Sequence, residues 1–391
     1  MSNNIKICFL VSNNPHCITA CNIINHFKNS DRSVSVNFII QDKYMNTKCS
    51  QFLNEKGYTF NNLPRIDGQT KSLWNSDGCI YKNIKAVRNF YTKYLTEYRP
   101  DIVVIVPYEK GAFEVELINS CKRLGVKTLL LQEGLIITDE NKEACLVHMP
   151  DEYFKLRRIN KATNTSMDDF LIELRKKING GANTKSLLKS AVRKLFYPSL
   201  PECKPFGMNG ADYVGTLSAY YANKLIERGL APRQLRQVGL ARFDEIEKYR
   251  KDNISTLDRS NQEKISILLC QSWGFELGSS PSDVSSVESE ITRAQIISNS
   301  FPGRVIVKYR IRPEEHLNNY KKYLNIFNKS LILEEASKIP VYESIMESDL
   351  IVTTGSTILL EALSLGKIGI LFDPSRKDYY GYVRFGGCLM A

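Results

Sequence analysis

The chain has 391 residues, 43% of them hydrophobic and 24% charged, which describes a soluble protein too long for one hydrophobic core, so two domains are expected. Lys and Arg number 53 against 42 Asp and Glu, a formal net charge of +11 that favours acidic partners: phosphorylated ligands, anionic lipid or nucleic acid. Ten scattered cysteines with no CxxC pair exclude a zinc ribbon and a disulfide framework, and read as reduced thiols.

The start, MSNNIKICFLV, holds too short an apolar run for a signal-peptide core, and no stretch approaches the roughly 20 apolar residues that span a bilayer. A cytoplasmic protein is expected, at most peripheral at the inner face of the cell membrane. In chain order, IKICFLV (5–11) reads as a buried strand, followed by a helix opened by SNNPH, a strand at 34–40 and a helix near 82–98. DIVVIVP (101–107), a helix ending at Gly125 and VKTLLLQ (126–132) form the clearest βαβ unit.

From about 150 to 207 the sequence turns charged and helix-prone, read either as a solvated helical hairpin or as a basic amphipathic surface for anionic lipid. Pro198, Pro201 and Pro205 punctuate a linker. A second βα series follows, with strands at 211–218, 236–246, 264–272, 304–313, 331–335, 349–356 and 367–373. The expectation is an α/β protein of two doubly wound parallel-sheet domains facing a cleft. The first spans 1–205, with a helical insertion at about 150–200, and the second spans 206–391. No GxGxxG follows the first strand and no GxxxxGK[ST] occurs, which excludes a nicotinamide dehydrogenase fingerprint and a P-loop.

Four segments carry residues suited to chemistry. In DLIVTTGSTILLEALSLGK, a strand delivers Gly355, Ser356 and Thr357 to a helix start where free N–H groups favour an anion, and Glu361 follows one turn later, placed to reach a hydroxyl. In RVIVKYRIRPEEH, Lys308, Arg310 and Arg312 alternate on one strand face, where three like charges need an anion or carboxylates to offset them. Gln132 and Glu133 end a first-domain strand, which makes Glu133 a candidate acid/base. Arg242 and Asp244 lie just beyond another strand, Asp212 begins one, and His16 sits in the loop after strand one beside Asn13 and Asn14. No histidine pair or carboxylate cluster has ligand spacing, so no metal is expected.

The segments VGLARFDEI, the basic strand ending RPEEH, and TTGSTILLEALSLGK together resemble the GT-B glycosyltransferases of bacterial capsule and lipopolysaccharide synthesis. There the corresponding stretches look like GxPRxD, K/R-x-HPxE and S-S/T-xxxEAxxxGK, and the last two hold the donor. Arg-Pro at 312–313 replaces the usual His-Pro. Within that fold the chain looks most like the retaining β-Kdo transferases, which use CMP-activated ulosonic acids.

The resemblance implies transfer of a sugar, Kdo from CMP-Kdo, onto a lipid-linked or oligosaccharide acceptor for a surface polysaccharide. No metal or further cofactor is required. It implies donor contacts from Arg242, Lys308, Arg310, Arg312, Gly355, Ser356, Thr357 and Glu361, Glu133 as acid/base, and Asp212 or Asp244 as nucleophile in a double displacement. A CDP-glycerol-type polyol-phosphate transferase and a UDP-sugar 2-epimerase-like enzyme are the alternatives. Lys and Arg are spread without a recognition motif, so nucleic acid is not an expected partner. The apolar ending DYYGYVRFGGCLMA suggests a module of a larger transferase.

Overall fold

The computed structural model describes residues 4–28, 33–41, 48–63, 77–106, 112–133, 206–241, 243–252, 263–270, 287–312, 317–336, 338–353, 356–372, 382–383 and 386–390. Arg242, Gly355 and the basic segment at 150–205 lie outside these residues. Two compact units emerge, one of Met1–Glu133 with Met149–Ala241, the other of Gly134–His148 with Arg242–Ala391.

The first unit runs β1 (Ile5–Val11), α1 (Asn14–Lys28), β2 (Val34–Ile40), α2 (Lys48–Glu55), β3 (Phe60–Asn62), α3 (Asp77–Tyr98), β4 (Ile102–Ile105), α4 (Ala112–Leu124), β5 (Lys127–Leu131), β6 (Tyr213–Thr216), α5 (Ala219–Glu227) and β7 (Leu235–Gln237). Its seven strands pair in parallel in the order β3-β2-β1-β4-β5-β6-β7. Central strands of such a sheet are covered on both faces, which is why β1 is buried from Ile7 through Val11 and reads as an unbroken apolar run. Ile7, Phe9 and Val11 pack with Cys17, Ala20 and Ile24 of α1 and with Phe38 and Ile40 of β2, and Phe9 stacks on Phe38 at 5.6 Å between ring centroids.

Gly125 ends α4 as expected: with φ at +70° it adopts the left-handed conformation that lets the Val126 N–H reach back to the Cys121 carbonyl at 2.9 Å. β6 and β7 correct the expected domain boundary. Residues 213–216 and 235–237, assigned to the second domain from sequence, extend the first sheet through β5, with Leu130 opposite Val214. Gly215 makes this approach possible, because a Cβ there would lie 2.8 Å from Leu131 Cδ2 and 2.9 Å from Val238 Cγ2.

The second unit contains α6 (Phe243–Asp252), β8 (Ile265–Cys270), α7 (Val287–Ser300), β9 (Val305–Ile311), a 3-10 helix (Leu317–Ile326), β10 (Leu331–Glu335), α8 (Val341–Met346), β11 (Leu350–Thr353), α9 (Ile358–Ser364), β12 (Ile368–Leu371) and β13 (Leu389–Met390). Its parallel order is β10-β9-β8-β11-β12-β13. Segment 236–246, expected to be one strand, is instead the end of β7, a turn and the start of α6. One face of the sheet packs on α7 through Val307, Tyr309 and Ile291, the other on α8 and α9 through Leu268, Ile351 and Leu359. In both sheets the strand order reverses beside the first strand, between β1 and β4 and between β8 and β11, and the carboxyl ends at such a reversal are where ligands bind in doubly wound sheets. Among the described residues no helix is long and apolar enough to cross a membrane.

Candidate functional site

At the carboxyl edge of the first sheet, β1 runs through Ser12 into α1, whose start is capped by Asn13: its Oδ1 accepts the His16 N–H at 3.0 Å. This fixes His16, 7% exposed, so that its Nδ1 accepts the Ser12 N–H at 3.3 Å and lies 2.9 Å from Ser12 Oγ. A backbone N–H can only donate, so the neutral ring carries its proton on Nε2.

One turn further along α1, Thr19 Oγ1 donates to Glu133 Oε2 at 2.8 Å. Glu133 follows β5 and is buried, so a carboxylate and an imidazole are presented from adjacent turns and strand ends at this edge. Gln132, also buried, ties the edge together: its N–H donates to the Gly215 carbonyl at 2.9 Å and its Oε1 accepts the Leu217 N–H at 3.2 Å. Asn22, one turn beyond Thr19, donates to the Ala241 carbonyl at 3.5 Å.

In the second unit, Ser356 and Thr357 follow β11 at the carboxyl edge beside the strand-order reversal. The Tyr382 hydroxyl donates to the Ser356 carbonyl at 2.9 Å, and Ser356 Oγ accepts the Ile358 N–H at 3.4 Å, while Thr357 makes no capping bond. Glu361 is buried in α9 rather than presented to solvent. It belongs to a buried polar group around Cys270, the last residue of β8. Burial pushes that thiol up, Arg310 pulls it down, and Glu334, Glu361 and Glu290 push it further up.

The basic strand resolves differently from its expected donor role. Lys308 and Arg310 do share a face of β9, but carboxylates of the protein offset them. Lys308 Nζ lies 2.6 Å from Glu347 Oε2, and Arg310, 6% exposed, donates to Glu334 Oε1, to Ser344 Oγ at 2.8 Å and to the Ile339 carbonyl at 2.7 Å. β10 lies beside β9 with Glu334 opposite Arg310, a pairing that sequence spacing does not reveal. Arg312 lies just past β9, half-buried at the carboxyl edge.

Asp212 is likewise displaced from its expected role as nucleophile. It precedes β6 and therefore sits at the amino edge, opposite Glu133. There it accepts from Lys127 Nζ, Thr128 N and Thr128 Oγ1, each at 3.0 Å. Burial raises its carboxyl, but these bonds outweigh that and hold it below the usual carboxylate range. Asp244 is exposed in the first turn of α6, where a carboxylate complements the helix dipole. The structure thus groups His16, Gln132 and Glu133 at one edge, Ser356 and Thr357 at the corresponding edge of the second sheet, and sets Asp212, Lys308 and Arg310 apart.

Sequence reasoning missed Thr19 and Asn22, which orient this edge. Their signal was present as two polar residues three apart on the otherwise apolar helix CITACNII. No group of three His, Cys, Asp or Glu side chains among the described residues is placed to hold a metal.

Two successive parallel sheets of this strand order, each with helices on both faces, give the chain the GT-B fold. Solved structures of that fold are its neighbours. The UDP-GlcNAc 2-epimerase from Neisseria meningitidis bound to UDP-GlcNAc is 12% identical with a TM-score of 0.56, over 98% of this chain and 87% of that one. The UDP-GlcNAc 2-epimerase from Methanocaldococcus jannaschii, in complex with UDP-GlcNAc and UDP, is 15% identical with a TM-score of 0.54, over 99% and 89%. The glycotransferase of kitacinnamycin is 10% identical with a TM-score of 0.56, over 99% and 86%. No protein-family model and no curated protein sequence matches the chain.

Proposed function

We propose that the chain is a nucleotide-sugar enzyme acting as a UDP-sugar 2-epimerase, in preference to a CMP-Kdo transferase. The observation that carries this is the buried Glu133 carboxylate, held by Thr19 one turn of α1 from His16, at the carboxyl edge of a Rossmann-like sheet. Inverting a carbon that bears hydrogen requires the C–H bond to break and a proton to return on the opposite face. A carboxylate of fixed orientation and an imidazole supply a base and a hydrogen-bond donor without an acceptor substrate. In this reading Glu133 takes the proton from C2, and the electron pair of that C–H bond forms a C1–C2 double bond as UDP leaves C1. Return of a proton to the opposite face of C2 with UDP rejoining C1 completes the inversion; the Nε2–H of His16 faces the sugar. Ser356, Thr357 and Arg312 serve the nucleotide, and no resident cofactor takes part.

The transferase reading rested on CMP-Kdo presenting a phosphate and a carboxylate to three cations. Two of those, Lys308 and Arg310, are matched one to one by Glu347 and Glu334. The kinship in fold with a glycotransferase keeps sugar transfer as the second reading.

The experiment is incubation with UDP-GlcNAc in D2O, followed by proton NMR. Deuterium entering C2 with formation of the 2-epimer, in the absence of any acceptor, is the expected result. Glu133→Gln should lower the exchange rate by about 10²–10⁴-fold while leaving UDP-induced thermal stabilisation in place. Stabilisation by CMP and not by UDP, with no exchange at C2, overturns the epimerase reading in favour of the CMP-sugar one.

A further inference from the structure

A second constellation lies on the outer face of the first unit, between α3 and α4. A cavity of about 440 Å³ is lined by Arg88, Asn89, Thr92, Lys93 and Arg123 among others. Beneath it is Glu116, whose side chain is 1% exposed. Arg88 grips both its oxygens, Nε to Oε1 at 2.8 Å and NH2 to Oε2 at 3.0 Å. Arg123 NH2 adds a bond to Oε1 at 2.9 Å and another to Ser120 Oγ at 2.8 Å. Burial alone would raise the Glu116 carboxyl, but the two guanidiniums outweigh it and hold it below the usual range.

The charge does not balance. One carboxylate faces two guanidiniums, and Lys93 and Glu97 cancel each other at 3.9 Å, so one positive charge is left over. Nor are the donors used up. A guanidinium has five N–H groups, and Arg88 NH1 and Arg123 Nε and NH1 have no hydrogen-bond partner among the described residues. The bidentate Arg88 already satisfies Glu116, which makes the second guanidinium surplus to the fold. At 30% and 48% exposure, both side chains reach the cavity. Forked, prefixed donors of this kind match the oxygens of a tetrahedral anion.

We propose that this groove is a binding site for a phosphate or phosphate monoester, held by Arg88 and Arg123 with Lys93 at its rim. It lies toward the amino edge of the sheet, because Arg123 is in the last turn of α4 and the α3 terminus at Tyr98 meets Lys6 at the start of β1. A ligand here does not touch a sugar at Glu133, so the site serves an effector or anchors a phosphate-bearing partner.

The test titrates the full chain with inorganic phosphate and with glycerol 3-phosphate by calorimetry, and sediments it with phosphatidic acid vesicles against phosphatidylcholine vesicles. The expected result is binding of the soluble phosphates, of the phosphatidic acid vesicles, or of both, weakened about tenfold in Arg123→Gln. The soluble arm assigns a free phosphate, and the vesicle arm alone assigns a lipid headgroup. Arg123→Gln leaves Glu116 in the bidentate grip of Arg88. Lys93→Gln, at a side chain 77% exposed, provides a second variant that cannot act through the core and should weaken binding severalfold. Absence of binding in every arm overturns the proposal. So does phosphate affinity unchanged in both variants, which would place the anion at the carboxyl edges instead.

Discussion

Replacing Arg310 by methionine tests whether the basic strand is structural or binds ligand. The side chains of Arg310 and Glu334 are 7% and 4% exposed, and the guanidinium also joins Ser344 of α8 and the Ile339 carbonyl, so one cation fastens β9, β10 and the turn into α8. Arg310→Met leaves Glu334 charged and buried with, among the described residues, only the Ser344 hydroxyl bonded to it, and breaking a buried pair in this way costs about 3–5 kcal/mol. Glu334→Leu strands the guanidinium and should cost as much. The double replacement removes both charges and should cost no more than about 1 kcal/mol, because a buried pair replaced by apolar side chains is often neutral. At about 2–4 °C per kcal/mol for a unit of this size, each single variant should melt about 6–20 °C below the parent and the double variant close to it. Scanning calorimetry of the four proteins, with and without UDP, is the assay. Single variants that melt with the parent but lose the nucleotide response would refute the structural assignment and return Arg310 to the donor site.

Three further outcomes are expected. Thr19→Val removes the bond that orients Glu133 while keeping its shape, and should reduce C2 exchange about tenfold with UDP-GlcNAc affinity unchanged; equal rates in the two proteins would show that Thr19 does not position the carboxylate. Gly215→Ala pushes a methyl against Leu131 and Val238 and should destabilise the first unit by about 1–3 kcal/mol in urea titration, a cost that parental stability would contradict. The Asp212 carboxyl titrates lower in the folded chain than in the unfolded one. Its stabilisation is therefore complete above the ordinary carboxylate pKa of about 4 and lost as pH falls through the depressed value. Asp212→Asn should be less stable at neutral pH and show a flatter acid limb, and parallel acid curves would contradict that linkage.

The central strands were legible because strands covered on both faces must be largely apolar: the cores of IKICFLV and KISILLC stand out for that reason, and they occur as β1 and β8. β3 and β13 escaped notice because edge strands of two or three residues carry too little pattern. The domain boundary was not legible, since nothing local in YVGT records that it pairs with LLL of β5 across the long stretch between them. Asp212 is a different case. It begins a strand of a parallel sheet, and strand direction alone assigns it to the amino edge, away from the ligand edge.

Net charge is a weak guide to ligands in this chain because each cation is decided by its neighbours. The alternation of Lys308, Arg310 and Arg312 looked like a ligand cradle, yet β10 and the end of α8 bring one carboxylate each to Lys308 and Arg310, and neither of those two is left to attract an anion. Between α3 and α4 the residues are scattered from Arg88 to Arg123 and form no motif, yet two guanidiniums meet over one carboxylate. A cation is available to a ligand where cations outnumber the carboxylates they face, and that ratio is set by which elements the fold makes adjacent. By that criterion, among the described residues, Arg88 and Arg123 outnumber the one carboxylate they share, although no sequence motif marks them, whereas Lys308 and Arg310, which the sequence displays openly, are each matched by one.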